Sequence, residues 1–170
     1  MNIQPDQTSL LQALALSDDT DVAIDAFEAL TASGTEEVIQ FYLHLLGNSH
    51  SRWIRNRAAM GLATLADSRA VEPLLHAINR PENLGANGTL VYALTQFDCR
   101  HLLKELFLIV FYQKYEAQLM ALLALEDQDF VYSAEDVVFI RQYWEQVRLS
   151  PTASLQELGL DNISELIEEF

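Results

Sequence analysis

Apolar residues recur along this chain at steps of three, four and seven, interrupted by short polar or glycine-containing breaks. Such spacing puts them on one stripe of a helix with about 3.6 residues per turn, so it predicts a succession of amphipathic helices and an all-α chain. The pattern itself repeats. At an offset of 32 residues Leu30, Leu62 and Leu94 align, as do Ala26, Ala58 and Leu90, and the small residues Ala29, Gly61 and Ala93. Val38, Ala70 and Leu102 then correspond, followed by Tyr42, Leu74 and Leu106, and by Leu46, Ile78 and Val110. A period of this length with two amphipathic helices inside it describes a helical hairpin. One hairpin cannot bury its apolar stripe alone, so the units must stack on a shared core.

Units fall at about 18–48, 50–80, 82–112 and 114–148, and an acidic tail at 150–170 caps the last of them. Polar punctuation marks their edges. Asp18, Asp19 or Thr20 is placed to cap the first helix of unit one, Gly34 permits the turn, and Thr35 with Glu36 and Glu37 opens the second helix. Ser49 or Ser51 starts unit two, Asp67-Ser68 breaks it, and Pro73 falls in the first turns of the next helix, where proline costs least. Asn87-Gly88 shortens the first helix of unit three, and Ser133 caps a helix reaching about Arg148.

Unit two carries a further signal, in the run Ile54-Arg-Asn-Arg-Ala-Ala-Met-Gly-Leu-Ala-Thr-Leu-Ala-Asp-Ser-Arg-Ala-Val-Glu-Pro-Leu-Leu-His-Ala-Ile78. It resembles the HEAT-like repeat of phycobilin lyase subunits and many other bacterial proteins. The shared elements are an apolar residue, arginine and paired alanines, then a leucine pair, an Asp-x-Arg-Ala-Val turn and Pro-Leu-Leu. Units one and three keep the apolar frame without that turn, and the likeness weakens beyond about residue 112. The resemblance implies a right-handed α-solenoid of about four HEAT-like helical hairpins with a C-terminal helical cap, its second helices lining a concave face. It also implies that Arg55, Arg57, Asp67 and Arg69 form a ladder of ion pairs and turn hydrogen bonds between units.

Charge changes the picture next. The net charge is −15 and unevenly spread: residues 1–51 hold eight carboxylates and no lysine or arginine, 52–114 hold eight basic residues against five acidic, and 115–170 hold twelve acidic against two basic. That balance repels nucleic-acid phosphates over most of the surface and steers a basic partner toward the ends of the molecule. The most apolar stretch, Leu106–Tyr112, is seven residues long; a membrane-spanning helix needs about 20. Met1 is followed by polar Asn2, Gln4 and Asp6 rather than a secretory leader, and a single cysteine, Cys99, allows no internal disulfide. Both point to the cytoplasm.

Catalytic chemistry finds no foothold. There is no G-x-S-x-G, no Gly-rich phosphate loop and no histidine at a motif spacing from Cys99, which reads as a structural thiol at a turn. The paired acids Asp18-Asp19, Glu36-Glu37 and Glu168-Glu169 sit at helix ends or in the tail, where capping and solvation account for them. No catalytic residue and no cofactor is expected. The 32-residue step instead lines up rows on the second helices: Glu37, Arg69 and His101; Gln40, Glu72 and Lys104; His44, His76 and Leu108. Stacked helices lie about 8–10 Å apart, too far for His44 and His76 to share one zinc at about 2.0–2.1 Å each. Protein binding is therefore assigned to Glu37, Gln40, His44, Glu72 and His76, with Tyr143 added from an aromatic-rich last helix. On that helix Val137, Ile140, Trp144 and Val147 form a separate stripe, over which Leu158, Leu160, Ile163, Leu166 and Ile167 of the tail are expected to pack.

The functional expectation is a non-enzymatic, cytoplasmic protein-interaction module, an adaptor or inhibitor holding a basic-surfaced protein on its concave face. Small size and acidity extend this to an immunity protein that neutralises a basic toxin. The resemblance also implies two alternatives. One is a subunit or chaperone like the phycobilin lyases, which attach bilins to cysteines. The other is a DNA-binding protein like the HEAT-like alkylpurine glycosylases, with Arg69, Arg100 and Lys104 as a local basic patch.

Overall fold

Local signals in the sequence set where each helix begins and stops. The computed structural model describes residues 5–170, with no strand among them. Helix α1 spans Pro5–Leu14, α2 Thr20–Ser33, α3 Glu36–Asn48, α4 Arg52–Leu65, α5 Val71–Ile78 and α6 Gly88–Leu94. Then come α7 Leu103–Tyr112, α8 Tyr115–Asp127, α9 Ala134–Val147, α10 Ala153–Leu158 and α11 Leu160–Glu168. Asp19 caps α2, its Oδ1 accepting from the backbone N–H groups of Asp21 at 3.1 Å and Val22 at 3.3 Å. Gly34 closes that helix at φ 58°, in the left-handed region where a side chain is strained. Ser51 caps α4, and Ser133 with Asp136 forms a reciprocal capping box on α9. Asn87 sits immediately before α6, which is only seven residues long.

One helix was not anticipated. α1 precedes the first expected unit and packs on α2 and α3. The stretch Met1–Gln4, on which the absence of a leader was read, lies outside the described residues.

The helices form two layers. α2, α4, α6 and α8 pack side by side in the first, while α3 against α5 and α7 against α9 make up the second. Consecutive units are closed by α3 on α4, α5 on α6 and α7 on α8. This is an α-solenoid. Its core is continuous through the units, and Leu30, Tyr42, Leu62, Leu74, Leu94 and Leu106 are shut away from solvent. At the far end α10 packs on α8 and α11 on α9. Leu155, Ile163, Leu166 and Ile167 are buried there, and the indole N–H of Trp144 donates to Ser164 Oγ at 3.1 Å. The Ile140–Trp144 stripe thus lies beneath the tail, as its apolar spacing requires.

A polar ladder joins unit to unit inside the apolar core. Arg55 Nη1 donates to the carbonyl of Ser49 at 3.2 Å. One unit further on, Asn87 Nδ2 donates to the Ile78 carbonyl at 2.9 Å and to Gln113 Oε1 at 2.7 Å. In the next unit Gln118 Nε2 donates to the Val110 carbonyl at 2.8 Å. All three side chains are buried. Each stands at the start of a first helix and reaches the end of the preceding second helix, where the last carbonyls have no helical partner. Such a bond contributes about 1 kcal/mol net, and stranding its buried acceptor costs about 1–3 kcal/mol. Asn87, expected only as a helix breaker, is therefore also an inter-unit tie.

Candidate protein-binding face

On α3 the residues Val38, Tyr42, Leu45 and Leu46 take the core side, which turns Glu36, Glu37, Gln40 and His44 out to solvent. On α5 the inward positions are Leu74, Leu75, Ala77 and Ile78, leaving Glu72 and His76 outside. Because α3 packs on α5, Glu37, Gln40, His44, Glu72 and His76 occupy the outer side of one helix pair. Gln40 Nε2 donates to Glu36 Oε1 at 2.8 Å, and Asn48 Nδ2 lies 3.3 Å from His44 Nδ1. Tyr143 does not join this group. It is half-buried on α9, 4.4 Å from the Phe139 ring centroid and 6.2 Å from that of Tyr112 of α7, which it meets edge-on.

Beside these residues lies an ionic clamp that the residue rows did not single out. Arg69 spreads its guanidinium over two carboxylates. It donates to Glu36 through Nη1 at 2.7 Å and Nη2 at 2.8 Å, and to Asp67 through Nε at 2.8 Å and Nη2 at 2.6 Å. Paired donation of this kind fixes geometry as well as charge. The Arg69 guanidinium, helped by the Gln40 amide, holds the Glu36 carboxyl down at about 2. It also lowers Asp67, while the two carboxylates make Arg69 hold its proton more tightly. The expected inter-unit ladder is present in part: Arg69 with Asp67 reaches Glu36 of unit one and Arg55 bonds the Ser49 carbonyl, whereas Arg57 enters no ion pair among the described residues and lies 5.3 Å over the Trp53 ring.

The same turn recurs in unit three, against expectation. Arg100 donates to Asp98 Oδ1 through its backbone N at 3.1 Å and Nε at 2.9 Å, and to Oδ2 through Nη2 at 2.7 Å. This matches the turn where the backbone N of Arg69 donates to Asp67 Oδ1 at 3.0 Å. Asp67 and Asp98 are 31 positions apart, so a comparison at 32 aligns Arg69 with His101 and hides the turn. Between Asp98 and Arg100, Cys99 is buried, and its thiol lies 3.3 Å from the Leu94 carbonyl. Burial pushes that thiol up to about 11, the opposite of what a reactive cysteine needs. Further along, Lys104 Nζ meets Asp136 Oδ1 at 2.7 Å across α7 and α9 and, with the Ser133 backbone and hydroxyl, lowers Asp136 to about 2.

The electrostatic outcome is one-sided. Arg69, Arg100 and Lys104, the would-be basic patch, are each closed on a carboxylate. Glu37 and Glu72 are exposed and enter no ion pair among the described residues. Glu36 and Asp136 give a pH test. Their folded-state affinity for protons is depressed, so the stability they supply is present above about pH 4.5 and drains away as the pH falls to about 2. The double variant Glu36→Gln, Asp136→Asn should show a shallower fall in thermal midpoint across that window than the parent. Equal slopes in scanning calorimetry would exclude these pairs as contributors.

The cavities of about 470 and 420 Å³ lie in the other layer, between α6 and α8 and between α2 and α4. Among the described residues no group of three or more histidine, cysteine or acidic side chains is gathered to hold a metal ion. No helix among them is long and apolar enough to cross a membrane. The chain matches the family model for HEAT repeats over residues 8–95, from within α1 to just past the end of α6. No curated protein matches its sequence.

Proposed function

Since the chain belongs to the HEAT repeat family, whose units generally mediate protein–protein interaction, we propose that it is a non-catalytic module holding a basic-surfaced protein on the outer side of α3 and α5. The observation that carries this is the charge pattern just described: Arg69, Arg100 and Lys104 are each paired within the chain, and Glu37 and Glu72 are left to meet a partner's cations. The clamp of Glu36, Asp67 and Arg69 supports the same assignment, because it holds the starts of α3 and α5 in fixed relation before any partner arrives. A surface ordered in advance gives up less freedom on binding. Gln40, His44 and His76 supply donors and acceptors beside the two carboxylates, suited to orienting a partner that charge has steered in. The role is that of an adaptor or inhibitor, and an immunity protein against a basic toxin is its narrowest form.

The test is charge reversal. With the native partner captured from host lysate and identified, Glu37→Lys with Glu72→Lys should slow association roughly tenfold while leaving the helical signal intact. The parent's association rate should fall as salt rises. Binding that survives both reversals at parental rate removes α3 and α5 from the interface.

A further inference from the structure

The layer of first helices carries an unpartnered apolar groove. α8 is apolar on two sides. Ala117, Ala121, Ala124 and Leu125 face the core, while Tyr115, Leu119 and Leu123 run up another side at four-residue steps. Across from them stands Tyr92 of α6, with Met120 between. Two adjoining cavities of about 470 and 270 Å³ share Tyr92 and Met120, so the seam between α6 and α8 is one trough rather than separate dimples. Tyr92 is 44% exposed, Tyr115 40% and Leu123 50%. Tyrosine in a concave seam is a residue type of binding hot spots, and methionine adapts its shape to an incoming side chain. The corresponding groove between α2 and α4 differs: Glu28, Thr31, Arg57 and Thr64 make its lining mixed and polar.

Charge along the trough selects the occupant. At one end Glu116 is already approached by Arg52 at 4.0 Å. At the other, Glu126 and Asp127 line the wall, exposed and in no ion pair among the described residues, with Asp129 two residues beyond. The thirteen residues of α8 extend about 20 Å, enough for three to four helical turns lying alongside. No strand among the described residues offers an edge for β-pairing.

We propose that the α6–α8 trough binds an amphipathic helical segment of a partner protein, with apolar anchors at i, i+3 or i+4, and i+7 and lysine or arginine at the end that lies over Glu126 and Asp127. Tyr92, Met120 and Leu123 take the anchors, and the two carboxylates fix the direction of the segment. This surface is separate from the α3–α5 face, so one chain can hold two partners or two parts of one.

The test uses a displayed library of random peptides about 16 residues long, panned against the full chain. Enriched sequences should show the anchor spacing with terminal basic residues. By fluorescence anisotropy their binding should weaken at least about tenfold in Leu123→Glu and in Tyr92→Ser, both changes at exposed positions. Glu126→Gln with Asp127→Asn should remove most of the salt dependence of binding, and Glu37→Lys with Glu72→Lys should leave affinity unchanged. No enrichment, or peptides that bind Leu123→Glu as well as the parent, overturns the proposal. So does binding lost only with Glu37 and Glu72, which would place the peptides on the other layer. A concentration-dependent dimer abolished by Leu123→Glu in sedimentation would assign the trough to a second copy of the chain and overturn it too.

Discussion

Gly61→Leu is expected to destabilise the chain by about 3 kcal/mol, a drop of roughly 6–12 °C in the thermal midpoint. Gly61 of α4 faces Tyr42 of α3. A Cβ there would sit 2.8 Å from Tyr42 Cδ2 and 3.1 Å from Cζ, and closer still to Cε2. The ring is tied in place by its packing and its hydroxyl. Tyr42 is fully buried, stacks on Phe27 with centroids 5.6 Å apart, and donates its hydroxyl to the Phe27 carbonyl at 2.9 Å, with Thr31 Oγ1 also at 2.9 Å. Burial pushes the phenol up to about 12, so it remains a neutral donor at any ordinary pH. Gly61→Ala is milder, because alanine recovers about 1 kcal/mol of helix propensity against the overlap. Tyr42→Leu opens the space, so combining it with Gly61→Leu should cost less than the two changes summed. Urea titration of the four chains measures this. Strict additivity, or a Gly61→Leu chain as stable as the parent, would show that α3 and α4 are free to part.

Half of that contact was legible in the sequence. The alignment of Ala29, Gly61 and Ala93 marks a position where helices approach closely, because small residues recur there at the repeat period. The partner was not legible, since period arithmetic relates equivalent positions and says nothing about which ring fills the space between them. Several helix ends were legible because caps and breakers are local chemistry: Asp19, Gly34, Ser51 and Ser133 act within a few residues of themselves. α1 escaped for the opposite reason. Its Leu10 and Leu14 point to solvent while Thr8 is buried, so no apolar stripe announces it.

The outer side of α3 and α5 was legible as a set of outward positions, and of its ionic clamp only Asp67 and Arg69 were. Glu37, Gln40, His44, Glu72 and His76 follow from helical spacing alone. Glu36 was read as part of a helix start, and only the fold brings it to Arg69, 33 residues away. The Asp98–Arg100 turn was lost to a single-residue change in the step between units, which a rigid offset cannot absorb. A signal for the α6–α8 trough did exist. Tyr115, Leu119 and Leu123 form a stripe distinct from the alanine face of α8, and a helix with two apolar sides has more hydrophobic surface than one core contact requires.

Deleting residues 150–170 is expected to be at least as damaging, lowering the thermal midpoint by roughly 10 °C or more. The last unit of a solenoid has no neighbour, and α10 and α11 stand in for one. They bury Leu155, Ile163, Leu166 and Ile167, each contributing about 1.5–3 kcal/mol of apolar burial before the entropy of ordering the tail is set against it. Their loss also uncovers Trp144, which stacks on Phe111 with centroids 5.7 Å apart, and removes Phe170 from its edge-on contacts with Phe107 at 5.8 Å and Tyr132 at 5.5 Å. The exposed aromatic surface should bind a hydrophobic dye and draw the shortened chain into aggregates, as uncapped repeats do. Two point changes separate packing from the hydrogen bond. Leu166→Ser should reproduce part of the loss, whereas Ser164→Ala, which leaves the indole in place and gives up its bond, should cost only about 1 kcal/mol. A shortened chain that stays monomeric, binds no dye and melts with the parent would mean that α8 and α9 close the solenoid unaided.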